Sequence, residues 1–248
     1  MASSQSTPAH IRKATKADLN ELSLVLARSF ARDPFYNWIK GATHMISSAN
    51  TQDPKELKAL EQFRYLQWSL AHLFMSRGEV DVVVIHVDGR QKIVASTAWV
   101  GPGKSTDITI VQMLRMRLDK VYRAWGLGAF KRMLADYVPR TEKAAEQAFK
   151  DQGKVSTDAW HLLNVSTDPD YEGRGYTSMM LRARFKAIGS LPVYLEASNP
   201  KARDIYLHYG FQLVETVILG EGKVDADGLT VRGEKATGTP DFVMIKSG

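Results

Sequence analysis

The 248-residue sequence predicts an α/β protein in which strands alternate with helices, and three observations carry that reading. Apolar residues switch repeatedly between helical and strand spacing, Asp88-Gly89 separates two β-branched runs, and no internal repeat or low-complexity linker divides the chain. With 44% hydrophobic residues the chain can bury a sizeable core. We expect a frayed Ser-rich tail over 1–9 and one domain over 10–248.

The elements follow in order. HIRKAT reads as a short first strand, and 16–34 repeats apolar residues at helical spacing (Leu19, Leu22, Val25, Leu26, Phe30) until Pro34 is expected to end it. A second amphipathic helix over 53–78 opens with Asp53 as cap and Pro54 in the first turn, and closes at Gly78. VDVVVIHVD and QKIVASTAWV are strands joined by a hairpin at Asp88-Gly89. After Gly103 the pattern turns helical, with Ile110, Leu114, Leu118, Val121 and Trp125 on one face and Phe130, Met133, Leu134 and Tyr137 on another. AWHLLNVST is a strand, RGYTSMMLRARFKAIG a helix, PVYLEAS a strand, PKARDIYLHYG a short helix and FQLVETVIL a strand. Residues 220–240, rich in Gly, Asp and Lys, read as a loop before a last strand, DFVMIK.

Composition narrows the function classes. No apolar run reaches the roughly 20 residues of a membrane span, and MASSQSTPAH has neither a basic head nor an apolar stretch, so a cytoplasmic protein with no membrane partner is expected. The absence of cysteine removes thiolate metal sites and cysteine nucleophiles, and no His/Asp/Glu spacing suggests a metal site. A formal charge of +6 favours an anionic ligand without the lysine blocks of nucleic-acid tails, so no nucleic-acid partner is expected. Residues 101–157 hold 11 Lys and Arg against 6 Asp and Glu, which reads as a solvated helical surface.

Two glycine-rich turns compete as anion sites. AWVGPGKST, 98–106, follows a strand and precedes a helical pattern, as a nucleotide-binding loop should. It has Ala98 where that loop needs Gly, and Pro102 removes a backbone N–H the phosphates would use. The second turn, Asp168-Pro169-Asp170 followed by Gly173 and Gly175, leads from an apolar strand into a helix carrying Tyr176, Met179, Met180 and Ala183. Such a turn aims several N–H groups at one point on the positive end of the helix, and glycine lets a phosphate approach them.

YEGRGYTSMML resembles the acyl-CoA-binding motif of the GNAT superfamily of N-acetyltransferases, Gln/Arg-x-x-Gly-x-Gly/Ala opening a helix after a strand. Glu172 stands at its first position, Gly175 at its central glycine and Thr177 at its last. Glu172 and Thr177 depart from the pattern, and Arg174 compensates the charge. LEASNPKARDIYLHYGF is similar to the family's closing segment, with Asn199, Ala202, Tyr206, Gly210 and Phe211 in register. The opening IRKATKADLNELSLVLARSFARDPF resembles the family's first strand and helix.

The resemblance implies a mixed, mostly antiparallel central sheet flanked by helices, in which two central strands splay apart. It implies acetyl-CoA as cosubstrate, its pantetheine arm beside Val165, Ser166 and Thr167 and its pyrophosphate over Gly173, Arg174, Gly175, Tyr176 and Thr177, with Glu172 and Asn199 also contributing. Acetyl transfer is then direct, to an amine. Tyr206 is the acid for the departing thiolate by resemblance, or a core tyrosine. Glu196, a carboxylate ending an apolar strand, is the candidate base or a hydrogen-bonded structural residue, with His161 and Asp158 as other candidates. The helical segment of about 102–157 departs from the family's usual short hairpin between strands 3 and 4 and is expected near the acceptor. Its Met113, Met116, Tyr122, Trp125 and Phe130 suit core or pocket. Extended members of this kind, including puromycin N-acetyltransferase-like enzymes, act on small molecules. A protein lysine acetyltransferase, for which an acidic groove is expected and none is visible in the sequence, and a non-catalytic acyl-CoA-binding module are the alternatives.

Overall fold

A computed structural model of the chain describes residues 9–104 and 115–248; Ser105, Thr106, Ile110, Met113 and Leu114 lie outside the described residues. Along the chain run β1 (His10–Lys13), α1 (Leu19–Ser29), α2 (Pro34–Lys40), α3 (Pro54–Arg77), β2 (Glu79–Val87), β3 (Arg90–Val100), α4 (Leu118–Lys131), α5 (Val138–Lys150), β4 (Trp160–Thr167), α6 (Tyr176–Ile188), β5 (Val193–Ala197), α7 (Pro200–His208), β6 (Gln212–Leu219) and β7 (Thr239–Lys246). The strands form one sheet in the order β1-β2-β3-β4-β5-β7-β6, antiparallel at every junction except β4–β5.

Local sequence explains most boundaries. Asp88 and Gly89 both take positive φ (51° and 75°), as the two-residue hairpin turn between β2 and β3 requires. Asp53 caps α3 by accepting from the N–H groups of Lys55 and Glu56, and the helix stops at Gly78, where a Cβ would lie 2.1 Å from the Trp99 carbonyl oxygen. Pro34 corrects the sequence reading: it starts a helix. Asp33 caps α2, Pro34 fills its first turn without needing an N–H donor, and Gly41 at φ 67° ends it. The final strand begins at Thr239, two residues earlier than DFVMIK.

Helices cover both faces of the sheet. α1 and α3 pack on Val80, Val82, Val84 and Ile93, while α2, α4 and α5 join Phe63, Val217 and Val243 on the same side. α6 and α7 cover the other face through Met180, Leu181 and Tyr206. Burying Leu181 completely contributes about 2–3 kcal/mol from its apolar surface.

The described part of the insertion between β3 and β4 is helical over 118–150, as expected. α4 is bent at Gly126 (φ 66°, ψ −175°), and a π-helical turn, Arg132–Tyr137, joins it to α5. Pro139 follows that turn and offers no N–H to the carbonyl four residues back, a physical reason for the widened turn. Arg132 anchors the insertion by donating to the Ile39 carbonyl at 3.0 and 2.6 Å.

One irregularity shapes the centre of the sheet. Ala98 pairs with Asn164 and Trp99 with Leu162, so Leu163 is an extra residue in β4, a β-bulge. The parallel pairing of β4 with β5 ends at the adjacent position, Leu162–Leu195. A bulge bends its strand, and beyond it β4 and β5 part.

Candidate active site

The parting of β4 from β5 opens two adjoining cavities. One, of about 550 Å³, runs along Val165 and Thr167 to the turn of Gly173, Arg174 and Gly175 at the start of α6. Gly173 and Gly175 have φ of 73° and 78°, and a Cβ on either meets no heavy atom within 4 Å, so their backbone faces open space. The first intrahelical bond runs from Met179 N–H to the Gly175 carbonyl, which leaves the N–H groups of Tyr176, Thr177 and Ser178 free of helix partners. This cradle fits a diphosphate. Thr177 Oγ1 lies 3.2 Å from Thr167 Oγ1, joining helix to strand at the position where the motif has glycine or alanine.

Residues distant in sequence hold this turn. Arg28 on α1 donates to Asp168 from Nε at 2.8 Å and to Asp170 from Nη2 at 2.8 Å, and Asn50 donates to Asp170 at 2.8 Å. The hydrogen bond to buried Asp168 raises the Arg28 pKa further, so the guanidinium stays charged. Ser29 Oγ donates to the Thr167 carbonyl at 2.7 Å. Arg174 lies 4.8 Å over the Tyr171 ring, its charge beside the turn.

The second cavity, of about 240 Å³, lies between the parted strands and meets the first at Val165, Ala202 and Tyr206. Glu196 enters it from β5, Asp241 from β7 and Asp33 from the head of α2; Tyr36 and Tyr137 line it too. Glu196 pairs with Val243 across β5–β7, and Asp241 lies two residues before Val243, so both carboxylates project from one face of the sheet. Asp33 accepts a 2.5 Å hydrogen bond from Ser198 Oγ and a weaker one from the Tyr36 N–H. Burial pushes its pKa up to about 6. Asp241 is 1% exposed, and its Oδ1 has no hydrogen-bond partner among the described residues. Burial, then the charges of Glu196 and Asp33, push its pKa well above the usual carboxylate range.

The predicted residues separate into several groups. Val165, Thr167, Glu172, Gly173, Arg174, Gly175, Tyr176 and Thr177 line the larger cavity together. Ser166 lines it as well, but its hydroxyl is buried against Ser96 Oγ at 2.8 Å, leaving its backbone for any ligand. Asn199 lines the smaller cavity, and its Oδ1 caps α7 by accepting from the Ala202 N–H. Tyr206 is buried at the junction, and burial pushes its phenol pKa upward. Glu196 Oε2 lies 2.7 Å from His161 Nε2. Asp158 lies in the 3₁₀ turn before β4 and lines neither cavity.

Sequence reasoning missed Asp33, Asp241, Arg28 and Tyr137. Asp33-Pro34 repeats the capping signature recognised at Asp53-Pro54, and Asp241 opens an apolar strand, the same signal that singled out Glu196. The insertion reaches the smaller cavity through Tyr137; Tyr122 is surface-exposed and Trp125 stacks on Phe63 in the core. The competing turn at Gly101–Lys104 spends its N–H groups internally, Gly103 on the Thr157 carbonyl and Lys104 on the Gly101 carbonyl.

Among the described residues, no helix is long and apolar enough to cross a membrane, and no group of three His, Asp or Glu is placed to hold a metal ion. No protein-family model matches the chain. An uncharacterized N-acetyltransferase of Schizosaccharomyces pombe is 27% identical over 205 residues, covering 82% of this chain and 74% of the relative. A crystal structure from Corynebacterium glutamicum, described as histone acetyltransferase HPA2 and related acetyltransferase, superposes with a TM-score of 0.57 at 20% identity, covering 97% of both chains. A putative arylalkylamine N-acetyltransferase of the yellow fever mosquito gives a TM-score of 0.56 at 17% identity, covering 96% of this chain and 87% of that one. Motif spacing and sheet topology agree with these likenesses: the chain has the fold of the GNAT acetyltransferases and is similar in sequence to an N-acetyltransferase.

Proposed function

We propose that the chain moves an acetyl group from acetyl-CoA directly to the amine of a small molecule. The observation that carries this reading is the meeting, at Tyr206, of a diphosphate-sized cradle with a small polar pocket. The backbone of Gly173–Thr177 and the α6 dipole hold the pyrophosphate, and β4 beyond its bulge offers backbone groups to the pantetheine arm. The bound coenzyme supplies the activated acetyl thioester. Glu196 takes a proton from the acceptor ammonium, and Tyr206 holds a proton at Oη for the departing sulfur.

A pocket of about 240 Å³ suits a small acceptor better than a peptide segment. Release of free thiol from acetyl-CoA, followed with a panel of primary amines, tests this reading. Amine-dependent release supports it. Tight acetyl-CoA binding with no release would favour a non-catalytic acyl-CoA-binding module.

A further inference from the structure

Carboxylates buried without a cation are expensive, and this molecule gathers three around one cavity against its overall charge of +6. Glu196 is partnered by His161, and Asp33 by Ser198 and the N–H of Tyr36. Asp241 has neither kind of support: the residue lines the cavity, and its buried Oδ1 has no hydrogen-bond partner among the described residues. None of the ion pairs among the described residues joins one of the three to a Lys or Arg; buried Lys40 feels the charge of Asp33 from a distance and Lys201 lines the cavity mouth, but Asp241 has no such neighbour. They are not disposed to share a metal ion.

A monocationic acceptor whose ammonium is deprotonated at Glu196 would leave Asp241 and Asp33 facing a neutral chain. A second positive charge on the same molecule would satisfy them. Resting on the acetyltransferase reading above, we propose that the acceptor is a compact dication, an aliphatic diamine or its like: one amine reacts beside Glu196 and Tyr206 while the other cationic group is held by Asp241 and Asp33. The reacting ammonium gives one proton to Glu196 and its nitrogen forms the N–C bond. As the C–S bond breaks, the sulfur takes the Tyr206 Oη proton and leaves as free thiol, and the second N–H proton of the former ammonium returns to Tyr206. The second cation stays bonded to its carboxylates throughout. The raised proton affinity of Asp241 agrees with this, because a like-charged cluster cannot ionise fully until a cation enters.

The test compares 1,3-diaminopropane and 1,4-diaminobutane with propylamine and butylamine in the thiol-release assay, for wild type and Asp241→Asn. The expected kcat/KM is at least about tenfold higher for the diamines, because pairing a buried carboxylate is worth that much or more, and the ratio should shrink severalfold in Asp241→Asn. Equal kcat/KM for diamine and monoamine in wild type would overturn the inference while leaving the acetyltransferase reading intact. So would a ratio unchanged in a folded Asp241→Asn protein. If no amine releases thiol, calorimetric titration of 1,4-diaminobutane and butylamine into wild type decides: absence of diamine preference overturns the inference. Failure to bind acetyl-CoA in the same experiment counts against the acetyltransferase reading instead.

Discussion

His161 on β4 and Glu196 on β5 are joined Nε2 to Oε2 at 2.7 Å where the parallel pairing of their strands ends. The His161 ring is stacked on Tyr194 at 4.0 Å, which fixes the imidazole and through it the carboxylate. Glu196→Gln retains the shape but cannot accept a proton, and turnover should fall by about 10²- to 10⁴-fold at saturating acetyl-CoA. His161→Asn removes only the positioning contact, and its kcat should fall by roughly tenfold, well short of the Glu196 variant. Steady-state kinetics checks both; wild-type turnover in Glu196→Gln would place the base elsewhere.

Tyr206→Phe should keep the fold and acetyl-CoA affinity while slowing the chemical step. Burial keeps the phenol protonated, as an acid must be, but a thiolate is a tolerable leaving group, so the loss should sit near the lower, about 10²-fold end for a positioned acid. Single-turnover rates measure it. Equal rates in the two proteins would make Tyr206 a packing residue.

Arg28→Ala leaves Asp168 buried beside Asp170 without its cation. Stability should drop by on the order of 3 kcal/mol, and acetyl-CoA should bind more weakly because the turn before Gly173 loosens. Gly175→Val should also weaken binding, through its φ of 78° and the space its side chain would fill. Lys104→Ala should change it little. Thermal melting and calorimetry distinguish these outcomes.

Asp33 gives a pH dependence of definite sign. Its pKa rises from an ordinary 3.8 to about 6 on folding, so the folded chain holds the proton more tightly. The associated stability is complete below about pH 4 and is lost as pH rises through 6. Asp33→Asn keeps a good capping residue without the ionisation. It should therefore gain on wild type between pH 4 and 7, by on the order of 3 kcal/mol at the upper end. Denaturant midpoints across that range check this, and a constant difference would contradict it.

Elements whose cues are local were legible in the sequence: the Asp88-Gly89 hairpin, the Asp53 cap, the helix after Gly175. Pro34 was misread because proline stops one helix and starts another equally well, and only the capping bond from the Tyr36 N–H to Asp33 shows which occurs. The bulge at Leu163 left no trace, since HLLNV reads as an unbroken strand and the extra residue exists only relative to β3. The turn of Gly173 and Gly175 was legible because it is contiguous. The carboxylate pocket was not, because Asp33, Glu196 and Asp241 meet only after β5, β7 and α2 have assembled.

Acetyl transfer from acetyl-CoA to an amine in one step is the central expectation for this protein. Mixing stoichiometric acetyl-CoA with enzyme, then adding amine while following free thiol, N-acetylated amine and protein mass, tests it most directly. The predicted result is thiol and acetylated amine appearing together in equal amounts, only after amine is added, with the protein mass unchanged. Thiol release before amine is added with a protein 42 Da heavier, or stabilisation by ATP where acetyl-CoA has no effect, would contradict it.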